Sequence, residues 1–166
     1  MVAVFLDIGS NINREANIQS CVDELINKFP DIFFSKSYES EAFGFEGDAF
    51  INLSAGFETD LSYPELKIFL KGIENQHARK RSQTKFISRT LDVDVLLYGD
   101  QILHPDNDVP RAEILKFPFV LFPLAEIAAE IVHPEQNKTI AELANESELD
   151  KNSITEVPGF PKLKIR

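Results

Sequence analysis

The 166-residue chain carries 43% hydrophobic and 27% charged residues and a formal net charge of −10. That length suits one domain, 1–166, able to bury a core without disulfide or metal staples, and the acidic balance lacks the broad basic surface that duplex nucleic acid requires. Cys21 is the sole cysteine, which excludes an intrachain disulfide and a cysteine-based zinc site; within its amphipathic segment it reads as a small buried hydrophobe. The N-terminal apolar run has no basic residues ahead of it and contains Asp7, so it does not read as a signal peptide. The apolar stretch 117–132 is interrupted by Pro118, Pro123 and Glu126 and is too short to cross a bilayer. A cytoplasmic monomer is expected, with small molecules as partners and neither nucleic acid nor membrane.

Residues 2–8 form an apolar run closed by Gly9-Ser10-Asn11, a buried strand entering a turn. Ile18, Val22, Leu25, Ile26 and Phe29 recur at helical spacing over 15–29, and Pro30 ends the pattern. Segments 32–40 and 50–57 are β-rich, and the stretch between them, with Gly44 and Gly47, is too long for a tight hairpin. Ser62-Tyr63-Pro64-Glu65 starts a second helix with proline in its first turn, and Leu66, Phe69, Leu70 and Ile73 give its buried stripe to about His77. A polar, basic stretch, 78–88, leads into a strand over 90–98 closed by Gly99-Asp100. The order βαββαβ predicts an α+β, ferredoxin-like core with an antiparallel sheet packed by helices. Short helices are expected over 110–117, 124–130 and 139–145, and the tail 150–166 is expected to be irregular.

Asp92 and Asp94 alternate in an apolar strand, so their side chains leave one face together. An isolated Asp-x-Asp is more often a solvated strand face. Here Val93, Val95, Leu96 and Leu97 surround the pair, which makes idle carboxylates costly, and Arg79, Lys80, Arg81 and Arg89 stand just upstream. Mg2+ suits such a pair, since it commonly binds through one or two carboxylates plus substrate phosphates. No G-x-x-x-x-G-K-[ST] is present, so phosphates would be met by metal ions and side chains. His77, His104 and His133 are scattered without ligand spacing.

Several segments fall in one order and spacing: Ile8-Gly9-Ser10-Asn11, Phe50-Ile51-Asn52, Ile73-Glu74 with Arg79 and Arg81, Arg89-Thr90-Leu91-Asp92-Val93-Asp94 running on to Gly99, Val109-Pro110-Arg111, and Phe119 to Leu124. In these the chain resembles the 6-hydroxymethyl-7,8-dihydropterin pyrophosphokinases of folate biosynthesis. The resemblance implies transfer of the β,γ-diphosphate of ATP to the pterin alcohol, leaving AMP. It implies two Mg2+ ions on Asp92 and Asp94, with Arg79 and Arg89 holding the triphosphate and acting in catalysis beside the aspartates. Glu74, Arg81 and Arg111 fall on the nucleotide side. Phe50 and Phe119 would sandwich the pterin ring, Asn52 would pair with its pyrimidine edge, main-chain groups of Ser40, Glu41 and Phe43 would complete the pocket, and Gly9 would let backbone come close. Each has a plainer reading: core packing for the phenylalanines, a backbone hydrogen bond for Asn52, a solvated helix face for Glu74.

The chain departs from the best-known members mainly on the nucleotide side. Their His-Tyr after Val-Pro is Arg111-Ala112 here, a following arginine is Phe117, Gly-Phe is Pro118-Phe119, a tryptophan is Phe86, and Gly-Pro is Ile87-Ser88. Arg111 retains a planar fork suited to phosphate. Two competing readings are a divergent paralogue that binds pterin or nucleotide without turnover, and a structural ferredoxin-like domain that uses its sheet to bind a partner.

Overall fold

The computed structural model describes residues 1–40, 49–78 and 91–163. Of the expected site residues, Glu41, Phe43, Arg79, Arg81 and Arg89 lie outside the described residues, as do Phe86, Ile87 and Ser88. The chain runs β1 (Val2–Ser10), α1 (Arg14–Lys28), β2 (Phe33–Phe34), β3 (Tyr38–Ser40), β4 (Phe50–Thr59), α2 (Tyr63–Ala78) and β5 (Asp92–Tyr98). A 3-10 turn (Ala112–Leu115), α3 (Pro118–Ile127), α4 (Ile140–Glu146), a second 3-10 turn (Lys151–Ser153) and β6 (Thr155–Glu156) follow. The strands form one sheet in the order β5-β1-β4-β3-β6, with β2 also beside β4, and every pairing is antiparallel. This is the α+β, βαββαβ architecture expected from the sequence.

Alternation along β1 splits the core between two faces. Val4, Leu6 and Ile8 join Ile51, Leu53, Ala55 and Phe57 of β4 against the apolar stripes of α1 and α2. Cys21 sits in that layer, and burial pushes its thiol above the ordinary range, as befits a packing residue. Phe5 points the other way and packs with Leu96, Leu97, Val120, Leu121 and Leu124 under α3. The sheet is therefore covered by α1 and α2 on one face and partly by α3 on the other.

A β-bulge makes the second layer possible. Phe5 pairs with Leu97 but Leu6 with Val95, which leaves Leu96 as the extra residue on β5. Val93 and Val95 face α2, Leu96 and Leu97 both turn toward α3, and Tyr98 returns to the first layer. Strict alternation in the sequence would have put Leu97 with Val95.

The expected strand 32–40 is broken at Ser35. Its N–H donates to the Ser54 carbonyl at 2.9 Å, and its hydroxyl, rather than a carbonyl, accepts the Ser54 N–H at 2.8 Å, so the side chain substitutes for one backbone group while the strand bends. The expected helix 124–130 begins earlier, at Pro118, where a missing N–H costs nothing, and it continues through Pro123. Pro123 removes one internal hydrogen bond, but Val120, Leu121, Pro123 and Leu124 are all buried there, and that packing keeps the helix. The helix expected over 139–145 starts with a capping box between Thr139 and Glu142. In the tail, β6 pairs with the edge of β3.

Gly56 sits between Phe5 and Phe33, whose rings meet edge to face at 6.4 Å; a Cβ there would lie 2.8 Å from Phe5 and 2.7 Å from Phe33. Gly56→Ala is expected to destabilise by about 1–3 kcal/mol in urea denaturation, and an unchanged midpoint would show that the aromatic pair yields freely.

Candidate functional site

The face of the sheet that α3 leaves uncovered is built in rows. Register places Tyr38 of β3, Asn52 of β4, Gly9 of β1 and Asp92 of β5 side by side in one row. The next row, one pleat toward α3, holds Ser54, Asp7 and Asp94. On the other side Ser40 pairs with Phe50. Period-2 alternation gives all these side chains a common face, opposite that of Val93 and Ile51. Gly9, Ser40, Phe50, Asn52, Asp92 and Asp94, separated widely in sequence, are thus gathered on neighbouring strands.

Asn52 is 4% exposed and reaches over Gly9. A Cβ built on Gly9 would lie 2.5 Å from Asn52 Nδ2, so it is the Asn52 amide that occupies the space this glycine leaves open. Nδ2 faces both carboxylate oxygens of Asp7 at 3.4 Å, while Asn52 Oδ1 is buried without a hydrogen-bond partner among the described residues.

Asp7 lies directly opposite Asp94, and like charges so placed repel. Burial, then the Asp94 charge, raises its carboxyl well above the usual range, against the Asn52 hydrogen bond. Asp94 is pushed up to about 6: burial raises it, Arg111 opposes the rise, and Asp92 adds to it.

Arg111 reaches this face because of the bulge. The carbonyl of the extra residue, Leu96, accepts the Arg111 N–H at 2.9 Å, which docks the segment after Pro110 on β5. The guanidinium then stands 3.6 Å from Asp94 Oδ2, and its Nε donates to Glu113 Oε1 at 2.5 Å. Its charge is shared between two carboxylates. Glu74 fixes β5 from below: its Oε2 accepts the Val93 N–H at 2.8 Å, so this helix carboxylate anchors the residue between Asp92 and Asp94.

Phe119, at the start of α3, stacks on Phe117 with ring centroids 5.0 Å apart and an interplanar angle of 18°. At the far end of α3, Glu126 accepts the Lys36 N–H at 3.0 Å and the Tyr38 hydroxyl proton, tying the helix to the bent edge strand. Arg14 of α1 pairs with Glu39 at 2.6 Å and donates to the Ala49 carbonyl at 2.8 Å, so one side chain grips both flanks of the segment 41–48. Asp7, Glu113, Tyr38 and Arg14 were not singled out as site residues from the sequence. Only Asp7 had a visible signal, an acid inside an apolar strand.

Among the described residues no group of three or more His, Cys, Asp or Glu side chains is arranged to hold a metal ion. The carboxylate pair fits a cation of the Mg2+ type, which accepts two protein oxygens and completes its shell from phosphates and water. A groove of about 450 Å³ lined by Leu115, Leu121, Leu143, Glu146, Ser147, Glu148 and Leu149 shares no residue with this face and offers phosphates no basic side chain. No described helix is long and apolar enough to cross a membrane.

This sheet face gathers carboxylates, an amide and an aromatic side chain, and the sequence holds no G-x-x-x-x-G-K-[ST]. Comparison with known proteins goes further: residues 5–129 match the family model of 7,8-dihydro-6-hydroxymethylpterin-pyrophosphokinase, and the chain belongs to that family. It is similar to a 2-amino-4-hydroxy-6-hydroxymethyldihydropteridine pyrophosphokinase of Aquifex aeolicus, 32% identical over 90% of this chain and 94% of that protein. A Synechocystis protein of the same name is 41% identical over 66% of this chain and 56% of its own length. Among solved structures, a Plasmodium falciparum HPPK-DHPS superposes with a TM-score of 0.67 at 13% identity, over 87% of this chain. The match spans 45% of that longer chain, and at this identity it speaks to the fold alone.

The raised Asp94 has a consequence for stability. Its folded-state value of about 6 stands above the ordinary 3.8, so the folded chain keeps a proton that the unfolded chain has released. Metal-free stability from this group is therefore lost as pH rises from about 4 to about 6, and does not return above that. Asp94→Asn is expected to reduce the loss of stability between pH 4 and pH 7 by on the order of 2 kcal/mol in urea denaturation. An identical loss in both proteins would contradict the assignment.

Proposed function

We propose that the chain catalyses Mg2+-dependent transfer of diphosphate from ATP to 6-hydroxymethyl-7,8-dihydropterin, giving the pterin diphosphate and AMP. The observation that carries this reading is the adjacency of two rows on one sheet face: Asn52, Gly9 and Asp92 in one, Asp7 and Asp94 in the next. A heterocycle recognised at Asn52 would present its substituent to the aspartates across a single pleat.

In this reading Asn52 pairs with the pyrimidine edge, and Phe50 and Phe119 bracket the ring, an arrangement suited to a flat conjugated system. Ser40, Glu41 and Phe43 contribute main-chain groups, and Gly9 keeps the row open for the amide. Asp92 and Asp94 would hold two Mg2+ ions, which when bound would neutralise the triphosphate and ease loss of the alcohol proton to solvent. The pterin hydroxymethyl oxygen attacks the β-phosphorus in line as the bond to the α-phosphate oxygen breaks and AMP departs. Arg79, Arg81 and Arg89 meet the triphosphate, and Arg111 can exchange its contact with Asp94 for a phosphate oxygen. Glu74 lies on the nucleotide side and also fixes β5 through the Val93 N–H.

The test is AMP release from purified protein with Mg2+, ATP and the pterin alcohol, omitting each in turn. AMP formed only with all three present is expected; pterin binding without AMP would favour a binding paralogue. Asp94→Ala is expected to lower turnover by at least about a hundredfold, as loss of a metal ligand that stabilises transition-state charge, without unfolding the chain. Asn52→Ala should weaken pterin but not ATP in calorimetric titration, and an equal loss of both would reject its role.

A further inference from the structure

We propose that Asp7 is a positioning residue for pterin recognition: its carboxylate fixes the orientation of the Asn52 side chain, so that the amide presents Oδ1, an acceptor, to the bound ring. The inference rests on the reading that Asn52 meets the pterin.

Both groups are built into the sheet, Asp7 being 7% and Asn52 4% exposed. Asn52 Nδ2 lies 3.4 Å from each Asp7 oxygen, so the amide nitrogen faces the whole carboxylate edge and not a single lone pair. Turning the amide over would set its oxygen against two acceptors where the carboxylate is ionised, and would take the Nδ2 donors away from Asp7 in either protonation state. Gly9 supports the same orientation by leaving room beneath Nδ2, 2.5 Å from a built Cβ, with Oδ1 farther away at 3.7 Å. Oδ1 is left buried with no partner among the described residues, and a buried acceptor of that kind is costly until something donates to it.

A pterin carries such donors in its ring N–H and 2-amino group. The orientation therefore sets specificity as well as affinity: an analogue lacking a donor at that point leaves Oδ1 unmet and is rejected. Asp7 acts through Asn52 and has no need to touch the substrate.

The experiment is calorimetric titration of the pterin alcohol, and separately of a Mg2+-bound non-hydrolysable ATP analogue, into the wild type, Asp7→Ala, Asn52→Ala and the double variant. Asp7→Ala is expected to weaken pterin binding about tenfold, the size of one buried hydrogen bond, with nucleotide affinity nearly unchanged. In the Asn52→Ala background the same substitution should add no further loss. Asp7→Asn, which can still offer an amide oxygen to Asn52 Nδ2, should recover most of the pterin affinity, and it carries the test if Asp7→Ala does not fold. Losses that multiply in the double variant would overturn the proposal, as would a change in nucleotide affinity equal to that for pterin, which would place Asp7 in the metal environment. Pterin binding by the wild type that is indifferent to Asp7 overturns this inference alone; no pterin binding by the wild type overturns the functional reading with it.

Discussion

The structure turns on a like-charge opposition that the sheet imposes. β1 lies between β4 and β5, and its register sets Asp7 opposite Asp94, with Asp92 one row away. Burial is the first cause that pushes both carboxyls upward; the Asp94 charge adds to it at Asp7, and the Asp92 charge adds to it at Asp94. In the chain itself the opposition is relieved in two ways. The Asn52 amide faces Asp7, and Arg111 leans toward Asp94 while sharing its charge with Glu113. A divalent cation would offset the carboxylate charge that Asn52 and Arg111 leave uncompensated.

The surrounding elements hold these groups in place. The bulge at Leu96 frees the carbonyl that docks Arg111 and also turns Leu96 and Leu97 toward α3. α3 covers part of the face, carries the stacked Phe117 and Phe119 at its start, and is tied to the edge strand through Glu126. On the opposite side Glu74 fastens the backbone between the two aspartates. The apolar layer under α1 and α2 backs the strands that carry Asp7, Gly9, Asn52, Asp92 and Asp94, and groups held on strands are placed more precisely than groups on loops.

The βαββαβ order was legible in the sequence because each element has its own period and its own stop signal, as with Pro30 after α1 and the Ser62 start of α2. The aspartate pair was legible because period 2 fixes which residues share a face. Partners across strands were not. Asp7 reads locally as an interruption of an apolar run, and only the pairing of β1 with β5 reveals that it confronts Asp94. Gly9 reads as a turn residue, whereas register makes it the vacancy that Asn52 fills. The bulge is invisible because Leu96-Leu97 looks the same whether the strand is regular or not, and the first turn of α3 is hidden because Pro123 is a local breaker that tertiary packing overrides. Glu74 is a further case: its helical position in the sequence does not reveal that one carboxylate oxygen accepts the Val93 N–H of β5.

The most direct measurement is a crystal structure with Mn2+, a non-hydrolysable ATP analogue and the pterin alcohol, using the anomalous signal to locate the metal. The expected result is metal density on Asp92 and Asp94, with phosphate oxygens in the same coordination shell and the pterin ring lying against Asn52. Phosphates bound away from β5, or metal that engages neither aspartate, would contradict the account.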